Sequence, residues 1–215
     1  MSRFTKKLPY LLVLLVFPLL AGIYQLLNNR PNKAVVLTTT LDQEIPFLPV
    51  FIIPYILWYG YIFCYLIYFC FKNTKVYFKT ILLIVTGELI CFLIYFFLQT
   101  HVPRPALEGD GFMTLLVQWI YTKDQPYNCF PSIHVLTTFA VMLASLHIKS
   151  KHVLNTACIH IVGSLIIIST LFVKQHVIFD MIASMFLVTF LYGLAFELLS
   201  IRVTEKSQTA YVKNK

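Results

Sequence analysis

The chain has 215 residues, of which 59% are hydrophobic and only 12% charged, with 17 basic against 9 acidic residues and a net charge of +8. A water-soluble domain carries about twice that share of charge, so the composition excludes an ordinary soluble enzyme and describes a protein whose solvent is lipid. The positive excess calls for no nucleic acid, because its distribution along the chain accounts for it.

Six apolar runs, at about 8–28, 48–72, 80–99, 131–148, 154–173 and 177–200, each approach the ~20 helical residues that cross about 30 Å of hydrocarbon. They predict an all-α, polytopic membrane bundle of six transmembrane helices, a single domain over 1–215. The first run follows Lys6 and Lys7 as a signal peptide would, but it has no small-residue cleavage site and is read as a retained span. Tyr and Trp cluster near several run ends, as interfacial anchors do. The third run carries Glu88 beside Gly87. An acid at a helix centre costs about 2.5–3.5 kcal/mol on the insertion scale, so Glu88 is expected to face protein. A pairing with His160 or a hydroxyl, and a place on a proton or substrate path, are both open.

Between the third and fourth runs lies the longest loop, about 100–131. In "HVPRP", Arg104 stands between Pro103 and Pro105, which hold it on stiff, extended backbone. A guanidinium there suits a bidentate grip on phosphate or contact with lipid headgroups. "GFMTLLVQWIYTKD", 111–124, is too short to span. It reads as an interfacial lid helix or as packing over the bundle.

The fourth run opens with "PSIH". Pro131 and Ser132 start a helix well, whose free N–H groups favour an anion. Ser132 offers a hydroxyl and His134 an imidazole. The sixth run opens with "KQHVIFD", where His176 and Asp180 are four apart and share one helical face. A carboxylate at membrane depth pairs or works. Bonded to Nδ1–H, Asp180 would fix the His176 tautomer and leave the Nε2 lone pair free, the logic of an oriented nucleophile or base. A structural tie is an alternative. So is a metal half-site completed by Cys129 or His134, but the spacing matches no zinc signature, and neither metal nor cofactor is expected.

Basic residues fix the orientation. The N-terminus, the second and fourth loops and the C-terminus hold Arg3, Lys6, Lys7, Lys72, Lys75, Lys79, Lys149, Lys151, Arg202, Lys206, Lys213 and Lys215. The opposite side holds only Arg30, Lys33, Arg104, Lys123 and Lys174. The positive-inside rule puts both termini in the cytoplasm and all three polar stretches at the outer face of the cell membrane. Of the cysteines at 64, 70, 91, 129 and 158, only Cys129 is then outside, so no disulfide is expected there. The others read as small buried apolar residues.

Arg104–Pro105, Pro131–His134 and His176–Asp180 together resemble the three motifs of the type-2 phosphatidic acid phosphatase superfamily. Those motifs are an Arg-Pro pair with a lysine seven residues before the arginine, Pro-Ser-Gly-His, and Ser-Arg followed by His and, four on, Asp. Here Phe97 replaces the lysine, Ile133 the glycine and Thr170 the arginine, while Ser169 matches. "FPSIHV" and "STLFVKQH" are closer to the branch of inositol phosphorylceramide synthase and sphingomyelin synthase relatives.

The resemblance implies six membrane helices and an active site at the outer edge. It makes His176 the nucleophile, Asp180 its stabiliser and His134 the proton donor, with Arg104, Ser132 and Lys174 on the phosphate, Lys174 in place of a lost arginine. The expected function is metal-independent hydrolysis of a membrane lipid phosphate or diphosphate through a phospho-histidine. The alternatives are transfer of a phosphoryl or phospho-headgroup between lipids, and a non-catalytic lipid-binding or transport role.

Overall fold

A computed structural model describes residues 5–28, 34–149 and 152–198. Arg3, Arg30, Lys33, Lys151, Arg202, Lys206, Lys213 and Lys215 of the charge count, and the last residues of the sixth run, lie outside the described residues.

The protein is mostly helical, and each helix begins where local chemistry allows it. A 3-10 stretch, Thr5–Leu15, contains Pro9 and continues as α1, Val16–Asn28. The short α2, Thr40–Glu44, is closed by a reciprocal cap between Thr39 and Asp42. A 3-10 turn at Pro49–Phe51 leads into α3, Ile52–Lys72. Helix α4, Thr74–Phe97, starts six residues earlier than hydropathy implies. The reason is Asn73, whose side chain accepts from the N–H groups of Lys75 and Val76 at 3.1 and 3.4 Å; a cap, not a hydropathy threshold, sets a helix start.

Helix α5, Phe112–Lys123, follows in the long loop, then α6, Ile133–Ser145, and α7, Val153–Phe172. Helix α8, Ile178–Tyr192, ends in a π turn, Gly193–Leu198. Among the described residues five stretches are long and apolar enough to cross a membrane: Lys6–Asn28, Pro49–Lys72, Thr74–Phe97, Val153–Phe172 and Ile178–Phe196. This is a multi-pass membrane protein. Helix α6 is apolar but has only 13 residues, about 20 Å of helix, because Ser132 caps it late and tight turns follow Ser145.

Helices α3, α4, α6 and α8 form the centre, with Leu66, Phe69, Tyr77, Ile84, Leu136, Ala140 and Val188 buried between them. Small residues permit the closest crossings, as in membrane bundles generally. A Cβ on Gly87 would meet Leu136 at 2.9 Å, and one on Gly163 would meet the Met142 sulfur at 2.7 Å. Helix α5 lays Val117 and Ile120 against Ile52, Tyr55 and Val173, and exposes Phe112, Leu115 and Trp119 on its other side.

Two features go beyond the all-α expectation, and both organise one end of the bundle. Strand β1, Val35–Val36, pairs in parallel with β2, Thr100–His101. His101 also bridges Tyr127. Backbone N–H groups that helices do not satisfy need partners here, and the loops supply them to each other: Val102 N–H donates to the Pro126 carbonyl at 3.1 Å and Asn128 N–H to the Thr100 carbonyl at 2.9 Å.

Candidate active site

The turn between α7 and α8 is short and fully specified. The N–H groups of Gln175 and His176 both donate to the Thr170 carbonyl, at 3.0 and 3.1 Å. Lys174 takes a left-handed φ of 52° at the apex. Its ammonium donates to the carbonyls of Asp42, at 2.9 Å, and Ile45. Burial pulls the Lys174 pKa down and nearby Asp42 pulls it back only in part.

Asp42 ties α2 to the same place. Its Oδ1 accepts from Ile178 N–H at 2.8 Å and its Oδ2 from Thr39 N–H at 2.8 Å. Burial would raise its pKa, but the donors from Ile178 and Thr39 prevail and hold it below the usual carboxylate range.

His176 emerges from this turn only 8% exposed. Its Nδ1 lies 3.0 Å from the Cys129 carbonyl and 3.3 Å from Asp180 Oδ2. Both are acceptors, so Nδ1 carries the proton and Nε2 keeps its lone pair. The carbonyl is the nearer partner, although sequence reasoning had named only Asp180. Cys129 is itself held, because the N–H groups of residues 129 and 130 both donate to Thr100 Oγ1 at 2.9 Å. Asp180 is fully buried. Its Oδ2 also accepts from Val177 N–H at 3.0 Å, and its Oδ1 has no partner among the described residues. One carboxylate thus orients the imidazole and caps α8.

The second motif is clamped onto the third. Ser132 caps α6, its Oγ accepting from Val135 N–H at 3.3 Å. The Ser184 hydroxyl reaches both the Ser132 and Asp180 carbonyls, at 2.9 and 2.7 Å. Tyr95 OH donates to the Pro131 carbonyl after a cis Phe130–Pro131 bond. His134 consequently faces His176 with ring centres 5.7 Å apart. It packs against Tyr55 and Trp58, at 4.6 and 4.3 Å, and Trp58 is anchored by its N–H on Thr137 Oγ1 at 2.8 Å. Among the described residues no group hydrogen-bonds either ring nitrogen of His134.

His176 lines two cavities. One, of about 510 Å³, is shared with Arg104, Lys174 and Asp42. The other, of about 350 Å³, is walled by aromatic rings and holds His134, Asn128 and Glu88. Arg104 stacks on Tyr121, with Cζ 4.1 Å from the ring centre, and donates to the carbonyls of Tyr121, at 3.2 Å, and Asp124, at 2.6 Å, and to Gln175 Oε1. His134, His176, Asp180 and Ser132 therefore converge directly. Arg104 and Lys174 reach His176 across the larger cavity, the Lys174 ammonium and the two terminal nitrogens of Arg104 already on carbonyl oxygens and Arg104 Nε buried without a partner among the described residues.

Sequence reasoning missed Asp42 and Asn128. Asp42 lies far from α8 in sequence and carries no motif. Asn128 precedes the second motif and takes a left-handed φ of 56°, a region Asn tolerates; an Asn three residues before the motif's proline was the available signal. Its Oδ1 accepts from Gln99 Nε2 at 3.1 Å, while Nδ2 is buried without a partner. The departures from the family motifs have structural counterparts. Phe97 is 76% exposed at the end of α4, and the Thr170 hydroxyl turns back onto the Ile167 carbonyl at 2.7 Å.

Comparison with protein families matches residues 76–204 to the PAP2 superfamily. The chain belongs to the PAP2 superfamily. The matched PAP2 span begins in α4 and includes all three polar stretches. Helices α1 and α3 precede it, yet supply Tyr24, Tyr55 and Trp58 to the cavity around His134. No curated protein and no solved structure matches this PAP2 chain. Among the described residues no group of three His, Cys, Asp or Glu side chains is placed to hold a metal ion. PAP2 membership fits a phosphatase or phosphotransferase, with a membrane-embedded lipid phosphate as a consistent substrate.

Proposed function

We propose that the protein is an integral-membrane lipid phosphatase that hydrolyses a lipid phosphate or diphosphate through a phospho-histidine on His176. One observation carries the reading: His176 Nδ1–H faces the Cys129 carbonyl and Asp180, which leaves Nε2 as a fixed nucleophile beside His134. Nε2 attacks phosphorus, and the P–O bond to the leaving group breaks. Asp180 stabilises the imidazolium that forms, and His134 gives its proton to the departing oxygen. Arg104, Lys174 and Ser132 compensate the equatorial oxygens; for Arg104 and Lys174 this means exchanging a carbonyl for phosphate. Water, activated by His134, then cleaves the P–N bond.

The aromatic wall of the smaller cavity favours a second reading, in which a lipid alcohol replaces water and the protein is a phosphotransferase. That reading agrees with the likeness to the inositol phosphorylceramide and sphingomyelin synthase branch. In both readings α6 and its flanking turns make the sixth crossing of one membrane domain, with both termini cytoplasmic and the site at the outer face of the cell membrane.

The test is purified full-length protein in mixed micelles, given a panel of lipid phosphates and diphosphates in EDTA. Released phosphate, new phospholipids and acid-labile protein-bound phosphate are all followed. Turnover with trapped phosphate on His176 is expected. Binding with no turnover would leave the non-catalytic role, and activity restored only by zinc or magnesium would replace the histidine scheme. Impermeant maleimide applied to intact cells should label Lys123→Cys and not Lys149→Cys; the reverse would turn the site to the cytoplasm.

A further inference from the structure

The smaller cavity contains two carboxylates that are treated differently. Asp124 is satisfied by Tyr24 OH at 2.6 Å and Tyr55 OH at 3.1 Å. Glu88, in the middle of α4, has no hydrogen-bond or ion-pair partner among the described residues, although it is only 6% exposed. Most of the side chains that line the cavity with it are apolar or aromatic, among them Leu20, Ile62, Phe63 and Phe92. A carboxyl group buried in hydrocarbon without a partner is the arrangement that folding avoids. Its side chain lines the cavity, and its oxygens are not among the fully enclosed, unpaired polar atoms. The open valence therefore belongs to the cavity.

The depth is set by the helix. Glu88 and Tyr95 lie on the same helix, seven residues apart, which is about 10 Å of rise. Tyr95 is bonded to Pro131, at the mouth of the second motif. A lipid whose phosphorus meets His176 would thus pass Glu88 with a part of its body well removed from the phosphate.

We propose that Glu88 is a recognition subsite for a hydrogen-bond donor, a hydroxyl or amide N–H, carried about two helical turns, on the order of 10 Å, below the level of the second motif by the lipid that fills this cavity. The inference rests on the lipid-phosphate reading above and deepens it by naming a chemical feature of the substrate. Selection works because a site with a buried, unpaired polar group rejects a ligand that cannot pair it. A lipid with plain alkyl chains leaves Glu88 unsatisfied, and one with a donor at the right depth does not.

The probes are three synthetic lipids: hexadecyl phosphate, the same molecule with one hydroxyl next to the phosphate, and the same molecule with one hydroxyl mid-chain. Turnover gives KM for each. Binding is read separately from Trp58 fluorescence in a Trp119→Phe background, since the chain has 2 tryptophans and Trp58 lines this cavity. The mid-chain hydroxyl is expected to tighten KM and binding about five- to tenfold over the other two, as one ordinary hydrogen bond would. Glu88→Leu should erase that preference, and the isosteric Glu88→Gln should keep part of it through its amide oxygen. Equal affinity for the three probes, or a preference that survives Glu88→Leu, overturns the subsite. Selective binding by Glu88 with no turnover would sink the phosphatase reading and leave the subsite standing.

Discussion

The two sides of His176 are built on opposite plans. Toward the α7–α8 turn, the Lys174 ammonium and the Ile178 N–H donate to Asp42 and the Val177 N–H to Asp180, and the mesh fixes one imidazole nitrogen. Toward the smaller cavity, His134, Glu88 and Asn128 sit among aromatic rings with ring nitrogens, a carboxyl and an amide N–H that have no hydrogen-bond partner among the described residues, the Asn128 amide being the fully enclosed one. The first side uses most of its hydrogen bonds for geometry, with Asp180 Oδ1, Gln175 Nε2 and Arg104 Nε as its buried unpaired atoms among the described residues; the second leaves its polar groups open to something that arrives. A residue on the meshed side should therefore matter by position and one on the open side by contact, and the two are separable by experiment.

The comparison breaks outright if His176→Ala retains turnover. It should fall below detection with the protein still folded, because no neighbouring group can replace Nε2; phosphate release and size-exclusion elution check both halves. His134→Ala, on the open side, should lower kcat about 10²–10⁴-fold and lower the unfolding temperature only through its lost packing on Tyr55 and Trp58, since its ring makes no hydrogen bond among the described residues. Asp180→Asn belongs to both plans. It should cost on the order of 10²–10⁴ in rate, as when an orienting carboxylate becomes an amide. It should also lower the thermal midpoint, because the same oxygen caps α8.

Arg104→Ala should reduce kcat/KM about ten- to a hundredfold, the scale of lost hydrogen bonds to a charged group. Arg104→Lys should restore only part of that, because lysine has no planar fork and stacks poorly on Tyr121. The smallest effect is at Asp42. Its native pKa lies below the unfolded value of about 3.9, so the stability it contributes is complete above that value and is lost as pH falls through the native pKa. Asp42→Asn should destabilise by about 0.5–2 kcal/mol at neutral pH, the worth of a cap, and the gap from wild type should close in acid. A constant gap would remove Asp42 from the mesh.

Much of this was legible in the sequence, and the residue types explain which parts. Long apolar runs announce spans because lipid permits few alternatives, and three motifs at three run ends announce a shared depth. The start of α4 was misplaced because Asn73, a polar residue, sets it. The paired strands β1 and β2, two residues each, fall below any periodicity signal. The Cys129 carbonyl could not be foreseen, since every residue has a carbonyl and only the fold aims one at an imidazole. Asp42 was invisible for a related reason: its partner Ile178 lies on the far side of five helices in sequence. Phe97, Ile133 and Thr170 were legible as departures from the motifs, but not the engaged state of Arg104 and Lys174, whose donors turn to carbonyls in the same turn and loop.

Helix α1 buries only Leu20 and Asn28, yet Phe17, Ala21 and Tyr24 form one wall of the smaller cavity. That wall is a single helix thick, with bilayer behind it. On the lipid-phosphate reading, a substrate reaching the cavity past it would never enter water, and the concentration that governs the rate would be its mole fraction in the surrounding film. Diluting the substrate with inert detergent at fixed bulk concentration should then slow the reaction, while adding buffer should not.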